Sequence, residues 1–484
     1  MIDLTLDTIL HKHFGYSQFR PGQKEVIEGV MAGRDVIALL PTGMGKSLCY
    51  QLPGYIFNKP VLIVSPLLSL MQDQVDQMKQ LKEKRVVALN SFLNPAQKRA
   101  TIHNLHHYRF IFISPEMLLQ EQVQNKLNSM ELSLIVVDEA HCISQWGFDF
   151  RPDYLRIGEV IGKENRPPIL ALSATATQKV LGDIKNYLQM KEPFTFIHSV
   201  DRPNIRLGKL IFQAREDKLA WLLEHAAKTA GPGIIYTQSR SKTESISQRL
   251  LQLGIPCAAY HGGMDPLDRQ FIQQQFLDGS LEWIVATNAF GMGVHKQNVR
   301  QVIHESLPSN MANYMQEIGR AGRDGQDSLA ILLYAEGDEE LAKFVGIDDS
   351  PVDAHVDSYV NYRLRNEAPN LMIHNGEISE TAYRVLDYWM QQLQPAEVKQ
   401  RLASMRFEKM KAVEEVRELI DATDCMREQL VRYFGQTLDA KPDDCCQCCG
   451  IEFENIIQPR ELKEVSAVIF NWKARIEKLL LGNS

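Results

Sequence analysis

Apolar residues along this chain fall into short, nearly unbroken runs, each followed by a mixed stretch long enough for a helix. The first is Val36-Ile37-Ala38-Leu39-Leu40. It is followed by VLIVSP (61–66), VVALN (86–90), FIFISP (110–115), LIVVDEA (134–140) and ILALSAT (169–175). Such runs predict strands buried on both faces, and stretches such as LLSLMQDQVDQMKQLKEK predict the helices between them. The expected architecture is a parallel sheet covered on both sides. After a linker, HSVDRPNIR (198–206), the alternation resumes with GIIYTQS (233–239), CAAYHGG (257–263), WIVATNAF (283–290), QVIHESLP (301–308) and LAILLYA (329–335). This predicts a second α/β domain. From 341 to 400 the period is helical, with Tyr388 and Trp389 expected in a core. RFEKMKAVEEVRELIDATDCMREQLVRYFG (406–435) reads as two helices with Cys425 opening the second, and the late stretch VSAVIFNWKARIEKLLL as an amphipathic helix.

Residues able to do chemistry close these runs, as expected at the carboxyl ends of parallel strands. PTGMGKS (41–47) follows the first run and precedes LCYQLP, which can begin a helix. Gly43 and Gly45 let backbone N–H groups approach an anion, Lys46 reaches β and γ phosphates, and Ser47 can hold Mg²⁺. Leu40 stands where the standard phosphate-loop pattern begins with Gly. Upstream, in FGYSQFRPGQ (14–23), Gln23 offers an amide to an adenine edge, Tyr16 a ring face and Arg20 a nearby cation. The same residues also read as a plain helix entry after a turn at Pro21-Gly22.

Asp138-Glu139-Ala140-His141 ends the run LIVV. Adjacent acids at the end of a buried strand suit a Mg²⁺ ligand (Asp138) and a residue that orients and deprotonates water (Glu139). Ser173-Ala174-Thr175 ends the next run with small hydroxyls that can link this site to its surroundings. In the second domain QEIGRAGRDG (316–325) places Arg320 and Arg323 on one helix face. They can stabilise charge on a γ-phosphate across a domain cleft, or form a solvated basic face.

Composition narrows the setting. The chain has 484 residues, 44% hydrophobic and 23% charged, ordinary for two or three globular domains. A net charge of −7 carries no signature of nucleic-acid binding, although a local basic groove suffices for it. The N-terminus lacks the apolar core of a secretory signal, and VLIVSPLLSL (61–70) is too short to span a bilayer, so a cytoplasmic location is expected.

FRPGQ, PTGMGKS, DEAH, SATAT, ATNAFGMGV and QEIGRAGRDG occur in the order and spacing of superfamily 2 helicases, and HCISQWGFDFRPDY (141–154) resembles the aromatic-rich loop of the RecQ family. The resemblance covers residues 5–340 and again 400–450. It implies an α/β fold of two tandem RecA-like parallel-sheet lobes, followed by a mostly helical zinc-binding domain. The expected boundaries are 1–200 for the nucleotide-binding lobe, 201–340 for the second lobe, 341–455 for the helical and zinc-binding domain and 456–484 for a C-terminal helix. ATP and Mg²⁺ would bind between the lobes, and translocation would run 3′ to 5′ along single-stranded DNA.

The same resemblance makes Thr42, Gly43, Met44, Gly45, Lys46 and Ser47 nucleotide contacts. It makes Gln316 and Arg320 partners in the site and Arg323 its arginine finger. It places Ser65, Ser114, Arg240 and Thr287 along a DNA groove. The residues of the aromatic-rich loop support this, because Trp146, Phe148, Phe150 and Tyr154 crowd beside Arg151 and His141. Bases stack on aromatic faces and Arg pairs with phosphates, while one or two of these rings can equally fill a core. Expected partners are single-stranded and forked DNA and a single-stranded-DNA-binding or other repair protein, with no membrane.

Cys425, Cys445, Cys446, Cys448 and Cys449 cluster late in the chain. In a reducing compartment such a cluster points to a metal, with Zn²⁺ the default. The C-x-x-C pairs 445/448 and 446/449 overlap, so one cysteine is spare and the spacing leaves its identity open. The stretch after Gly450 has no room for the family's winged helix or C-terminal helical nucleic-acid module, so the chain reads as a short form. Another element must then split strands. The helices around 350–400 are the candidate, and deleting them is expected to abolish unwinding while sparing DNA-stimulated ATPase. Competing readings are a translocase or annealing factor with weak unwinding, an RNA helicase, and a non-enzymatic DNA scaffold. The aromatic loop disfavours the RNA helicase; Lys46, Glu139 and Arg323 together disfavour the scaffold.

Overall fold

The computed structural model describes residues 6–460 apart from 67, 91–92, 145–151, 163–165, 292–295 and 454–455. The first sheet contains β1 (Val36–Leu39), β2 (Val61–Val64), β3 (Val86–Leu89), β4 (Phe110–Ile113), β5 (Leu134–Val137), β6 (Ile169–Ser173) and β7 (Phe194–Ile197). Its strand order is β3-β4-β2-β5-β6-β1-β7, and every pairing is parallel. The second sheet contains β8 (Ile205–Phe212), β9 (Gly233–Tyr236), β10 (Cys257–Tyr260), β11 (Trp283–Ala286), β12 (Gln301–His304) and β13 (Ser328–Ala335). Its order is β10-β11-β9-β12-β13-β8, again all parallel.

Each apolar run read from the sequence is a strand. The two strands not anticipated, β7 and β8, lie at sheet edges. β7 alternates half-buried and exposed side chains, and β8 is interrupted by Arg206, Gly208 and Lys209, so neither has the unbroken apolar run of a central strand. β8 also begins inside the segment read as a linker.

The region after the second lobe is mostly helical and carries the cysteine cluster, as expected, and it packs on both lobes. Its helices Asp353–Leu364, Leu371–His374 and Glu380–Gln392 turn back onto the first lobe. Tyr359, Leu386, Trp389, Val398 and Leu402 share one core cluster with Tyr154, Ile157 and Ile184 of that lobe. Arg384 adds ion pairs to Glu116 at 3.3 Å and Asp153 at 3.4 Å. The long helix Pro395–Asp421 starts with Pro at its first turn and a Gln394–Glu397 capping box. Its 27 residues extend about 40 Å. Val398 and Leu402 near its start belong to the first lobe's core, whereas Val413, Val416, Leu419 and Ile420 near its end belong to the second's. One helix therefore braces both lobes.

This corrects the expected outcome of deleting residues 350–400. The segment covers an apolar face of the first lobe, so its removal would expose that core rather than cleanly remove an appendage. The predicted C-terminal helix lies outside the described residues. Among the described residues no helix is long and apolar enough to cross a membrane.

Trp389 is buried at the seam, with the Arg401 guanidinium 4.9 Å above its ring. Trp389→Ala is expected to destabilise the protein by about 3–5 kcal/mol, the usual cost of emptying a large aromatic site. Urea denaturation checks this, and hydrogen exchange should show faster exchange in 353–402 than in the second sheet.

Candidate functional site

The phosphate loop follows β1, and Leu40 N donates to Ser173 O at 3.0 Å, tying it to β6. Gly43 and Gly45 have φ of +92° and +74°, which side-chain-bearing residues rarely adopt. Gln23 latches this loop. Its Nε2 donates to Met44 O at 2.8 Å and Gly45 O at 3.1 Å, and its Oε1 accepts from Arg20 N at 2.9 Å. The amide thus ties the upstream segment to the loop's backbone, and Gln23 also lines the cavity beside that loop. Arg20 also donates to Gly43 O. Tyr16 is 58% exposed and stacked on Phe14 with centroids 6.4 Å apart, leaving a ring face for a base. Ser47 precedes the helix Leu48–Ile56, and its hydroxyl donates to Gln74 Oε1 at 3.1 Å instead of capping the helix. Gln74, which the sequence reading missed, also accepts from Tyr50 at 3.3 Å. These groups line a cavity of 570 Å³ that includes Thr42, Lys46, Asp138, Glu139, Gln297, Gln316, Arg320 and Arg323.

Lys46 Nζ lies 3.3 Å from Glu139 Oε1. Glu139 turns out of β5 with φ +46° and is 7% exposed. Burial and the neighbouring Glu139 charge push the Asp138 carboxyl up to about 6. The buried Asp138 carboxyl, lining one cavity with the Ser47 hydroxyl, belongs to a donor set that a Mg²⁺ ion fits. The acid box continues outward. His141 Nδ1 is 3.4 Å from Glu139 Oε2 and 3.0 Å from Ser173 Oγ, and Ser173 in turn donates to Thr175 O at 2.8 Å. With the Ser173 proton committed to Thr175, His141 Nδ1 is the donor in their bond. Tyr154 is fully buried and donates to Asp138 O at 3.0 Å. It is a core residue bracing the acid box, not a stacking platform. Trp146, Phe148, Phe150 and Arg151 lie outside the described residues.

The second lobe closes the site. The helix Met311–Ile318 ends just before Arg320 and Arg323. Arg320 is 6% exposed and donates to Gly291 O. Burial and the Arg320 charge lower Arg323 to about 9. Arg323 reaches across to the phosphate loop, where a Cβ built on Gly43 would lie 3.5 Å from its Cγ. Two crowded guanidinium groups facing a glycine-lined loop favour an anion between them.

Of the positions expected along a DNA groove, all four follow strand ends but only Arg240 is an exposed side chain. Ser65, Ser114 and Thr287 are buried, so hydroxyl contacts to DNA are not supported there. The Ser114 hydroxyl caps the helix Pro115–Leu118 by accepting from Met117 N. Thr287 accepts from Ala289 N at 3.4 Å.

The late cysteines resolve into a set of four. Cys425, Cys445, Cys446 and Cys449 hold their Sγ atoms within 4.8 Å of one another, with pairs at 3.5–3.9 Å. Tetrahedral Zn²⁺ with bonds of about 2.3 Å requires sulfurs about 3.8 Å apart, so the set fits that ion. Cys448 is the spare and faces Ala422 O at 4.0 Å. Burial raises Cys445 to about 12 and also raises Cys449. At Cys425 burial is outweighed by the Glu428 N–H and the other thiols, so its pKa falls.

Residues 20–184 match the DEAD/DEAH box helicase family and residues 216–325 match the helicase conserved C-terminal domain. The Probable ATP-dependent DNA helicase RecS of Bacillus subtilis is 39% identical over 486 residues, covering 98% of this chain and 97% of the relative. The ATP-dependent DNA helicase RecQ of Pasteurella multocida is 40% identical over 335 residues. That match covers 68% of this chain and 52% of the relative, so the chain aligns to about half of RecQ. The solved structure of the DEAD-box helicase Mss116 bound to ssRNA and UDP-BeF aligns with a TM-score of 0.58 at 19% identity, covering 84% of this chain and 92% of that one, which shows the shared two-lobe fold. Motifs, sheet topology and identity across nearly the whole length of RecS converge, and the chain belongs to the RecQ family of ATP-dependent DNA helicases.

Proposed function

We propose that this protein is a DNA-stimulated ATPase that translocates 3′ to 5′ on single-stranded DNA and unwinds forked duplex during DNA repair or recombination in the cytoplasm. The observation that carries the ATPase reading is Arg323 of the second lobe lying against Gly43 of the first lobe's phosphate loop, opposite the Lys46–Glu139 pair. Family membership supports the DNA substrate and the 3′–5′ direction.

The loop N–H groups and the helix beginning at Leu48 hold the nucleotide's phosphates, while Tyr16 stacks on its base. Lys46 then exchanges Glu139 for phosphate oxygens. This frees the Glu139 carboxylate to orient water and take its proton. Ser47 and Asp138 would hold Mg²⁺, which neutralises charge on the β and γ oxygens. Arg320 and Arg323 meet the charge that develops on the γ-phosphoryl group, and Gln316 faces it from the same lobe. His141, Ser173 and Thr175 connect Glu139 to the region beyond the site, giving nucleic-acid occupancy a route to it.

Strand separation falls to the helical segment on the first lobe. Its Arg384 pairs with Glu116, two residues after the strand end at Ser114, and with Asp153. Its turn at 364–371 presents two exposed leucines, Leu364 (76%) and Leu371 (38%), among the exposed polar residues Arg365, Asn366, Glu367 and Asn370.

Unwinding of a duplex with a 3′ tail, with little activity on a 5′ tail, is the first expected result. Glu139→Gln should lower turnover at least 100-fold and abolish unwinding, the scale of a lost general base. The double substitution Leu364→Glu with Leu371→Glu should reduce unwinding about tenfold or more while DNA-stimulated ATPase stays within twofold. Equal loss of both activities would remove the turn from the mechanism. Metal analysis should find one zinc per chain, retained in Cys448→Ser and lost in Cys446→Ser.

A further inference from the structure

The loop that carries the arginine pair is held by residues that no helicase motif used above contains. The helix Met311–Ile318 ends at Gly319, where the final carbonyls of a helix lack partners within it. Arg202 donates to the cap carbonyl and to two carbonyls of the loop beyond it: Nη1 to Gly319 O at 3.3 Å, and Nη2 to Ala321 O at 3.2 Å and Gly322 O at 2.8 Å. These carbonyls flank Arg320 and lead directly into Arg323. A cation there also suits the negative end of the helix dipole.

Arg202 pays an electrostatic cost in this place. It is mostly buried, burial lowers its pKa, and its charge adds to the repulsion on Arg323. Asp201 and Asp324 oppose this. Asp201 is in turn fixed by Arg427, whose Nη1 donates to its Oδ1 at 2.6 Å and to Arg202 O at 2.9 Å. Arg427 is 2% exposed, and its Nε donates to Cys445 Sγ at 3.2 Å. An unbroken path thus runs from the four-cysteine cluster through Arg427, Asp201 and Arg202 to the arginine loop.

We propose that Asp201 and Arg427 are positioning residues for ATP hydrolysis: they anchor Arg202 to the cysteine cluster, and Arg202 sets where Arg320 and Arg323 stand against the phosphate loop. This rests on the ATPase reading above. The cluster is packed on the second lobe, with Cys446 bridged to Leu207 of β8. The path therefore lies within one body, and its endpoint, Arg323, is what touches the other. A group misplaced by about 1 Å can lose on the order of 100-fold in rate, so a modest shift of the loop should show in turnover.

Asp201→Asn in the full chain tests this, because it keeps the shape of the side chain and removes its charge. The expected result is a fall in DNA-stimulated kcat of about tenfold to 100-fold, with KM for ATP and zinc content within about twofold of wild type. In an Arg323→Lys background the same substitution should change kcat less than about twofold, because it acts through Arg323. Unchanged kcat overturns the proposal, as does an equal fold-loss in both backgrounds or a loss accompanied by loss of zinc. Arg427→Lys is the second variant. It keeps a cation for Asp201 without the fork that reaches Cys445 and Arg202 O, and should lower kcat while KM holds. Wild-type protein that hydrolyses no ATP would overturn the ATPase reading itself; normal wild-type turnover with unaltered variants would overturn only the positioning role.

Discussion

Two guanidinium groups, those of Arg320 and Arg323, are buried side by side where the second lobe meets the first. Burial, with the Arg320 charge beside it, pulls Arg323 down to about 9. The arrangement is stable only if surrounding structure holds it. Arg202 and Asn204 tie down the loop carbonyls, Gly291 O accepts from Arg320, and Asp324 is held by Arg300. Much of the second lobe's polar bonding serves to keep these like charges facing a glycine-lined phosphate loop. An anion bridging the lobes relieves the conflict, and this relief favours a closed cleft when nucleotide is bound.

The first lobe answers with its own strained charges. Asp138 and Glu139 share one corner, Asp138 is pushed up to about 6, and Lys46 is the cation within reach of Glu139. The loop bearing Lys46 is closed by the Gln23 amide, so the upstream segment holds the loop's backbone in place. The long helix Pro395–Asp421 is anchored in both lobes' cores, so opening the cleft must bend it or slide one of its ends. The helical segment on the first lobe therefore travels with the phosphate loop, while the cysteine cluster travels with the arginines.

Much of this was legible in the primary structure. Unbroken apolar runs located the central strands, because a strand buried on both faces has no polar positions to spare. The edge strands β7 and β8 escaped notice because polar or small residues interrupt their apolar pattern. The phosphate loop, acid box and arginine pair were readable because their chemistry demands particular residues at close spacing. Gln74, Arg202, Asn204 and Arg427 were not, since each acts on a backbone or side-chain atom that is distant in the chain. Ser65, Ser114 and Thr287 were placed correctly at strand ends, but local capping and packing turned their hydroxyls inward.

By itself the sequence determined the two-sheet architecture, the motif chemistry and the presence of a late cysteine cluster with the chemistry to take a metal. Periodicity and short-range spacing are properties of a linear chain, and these features depend on little else. Tertiary structure decided which cysteine is spare, that Gln23 serves the loop, that Tyr154 braces Asp138, and that the helices after the second lobe fold back onto the first. Each of these depends on which groups become neighbours once burial has brought distant segments together. An overlapping C-x-x-C pair or an amphipathic helix specifies a chemical need; only packing selects the partner that meets it.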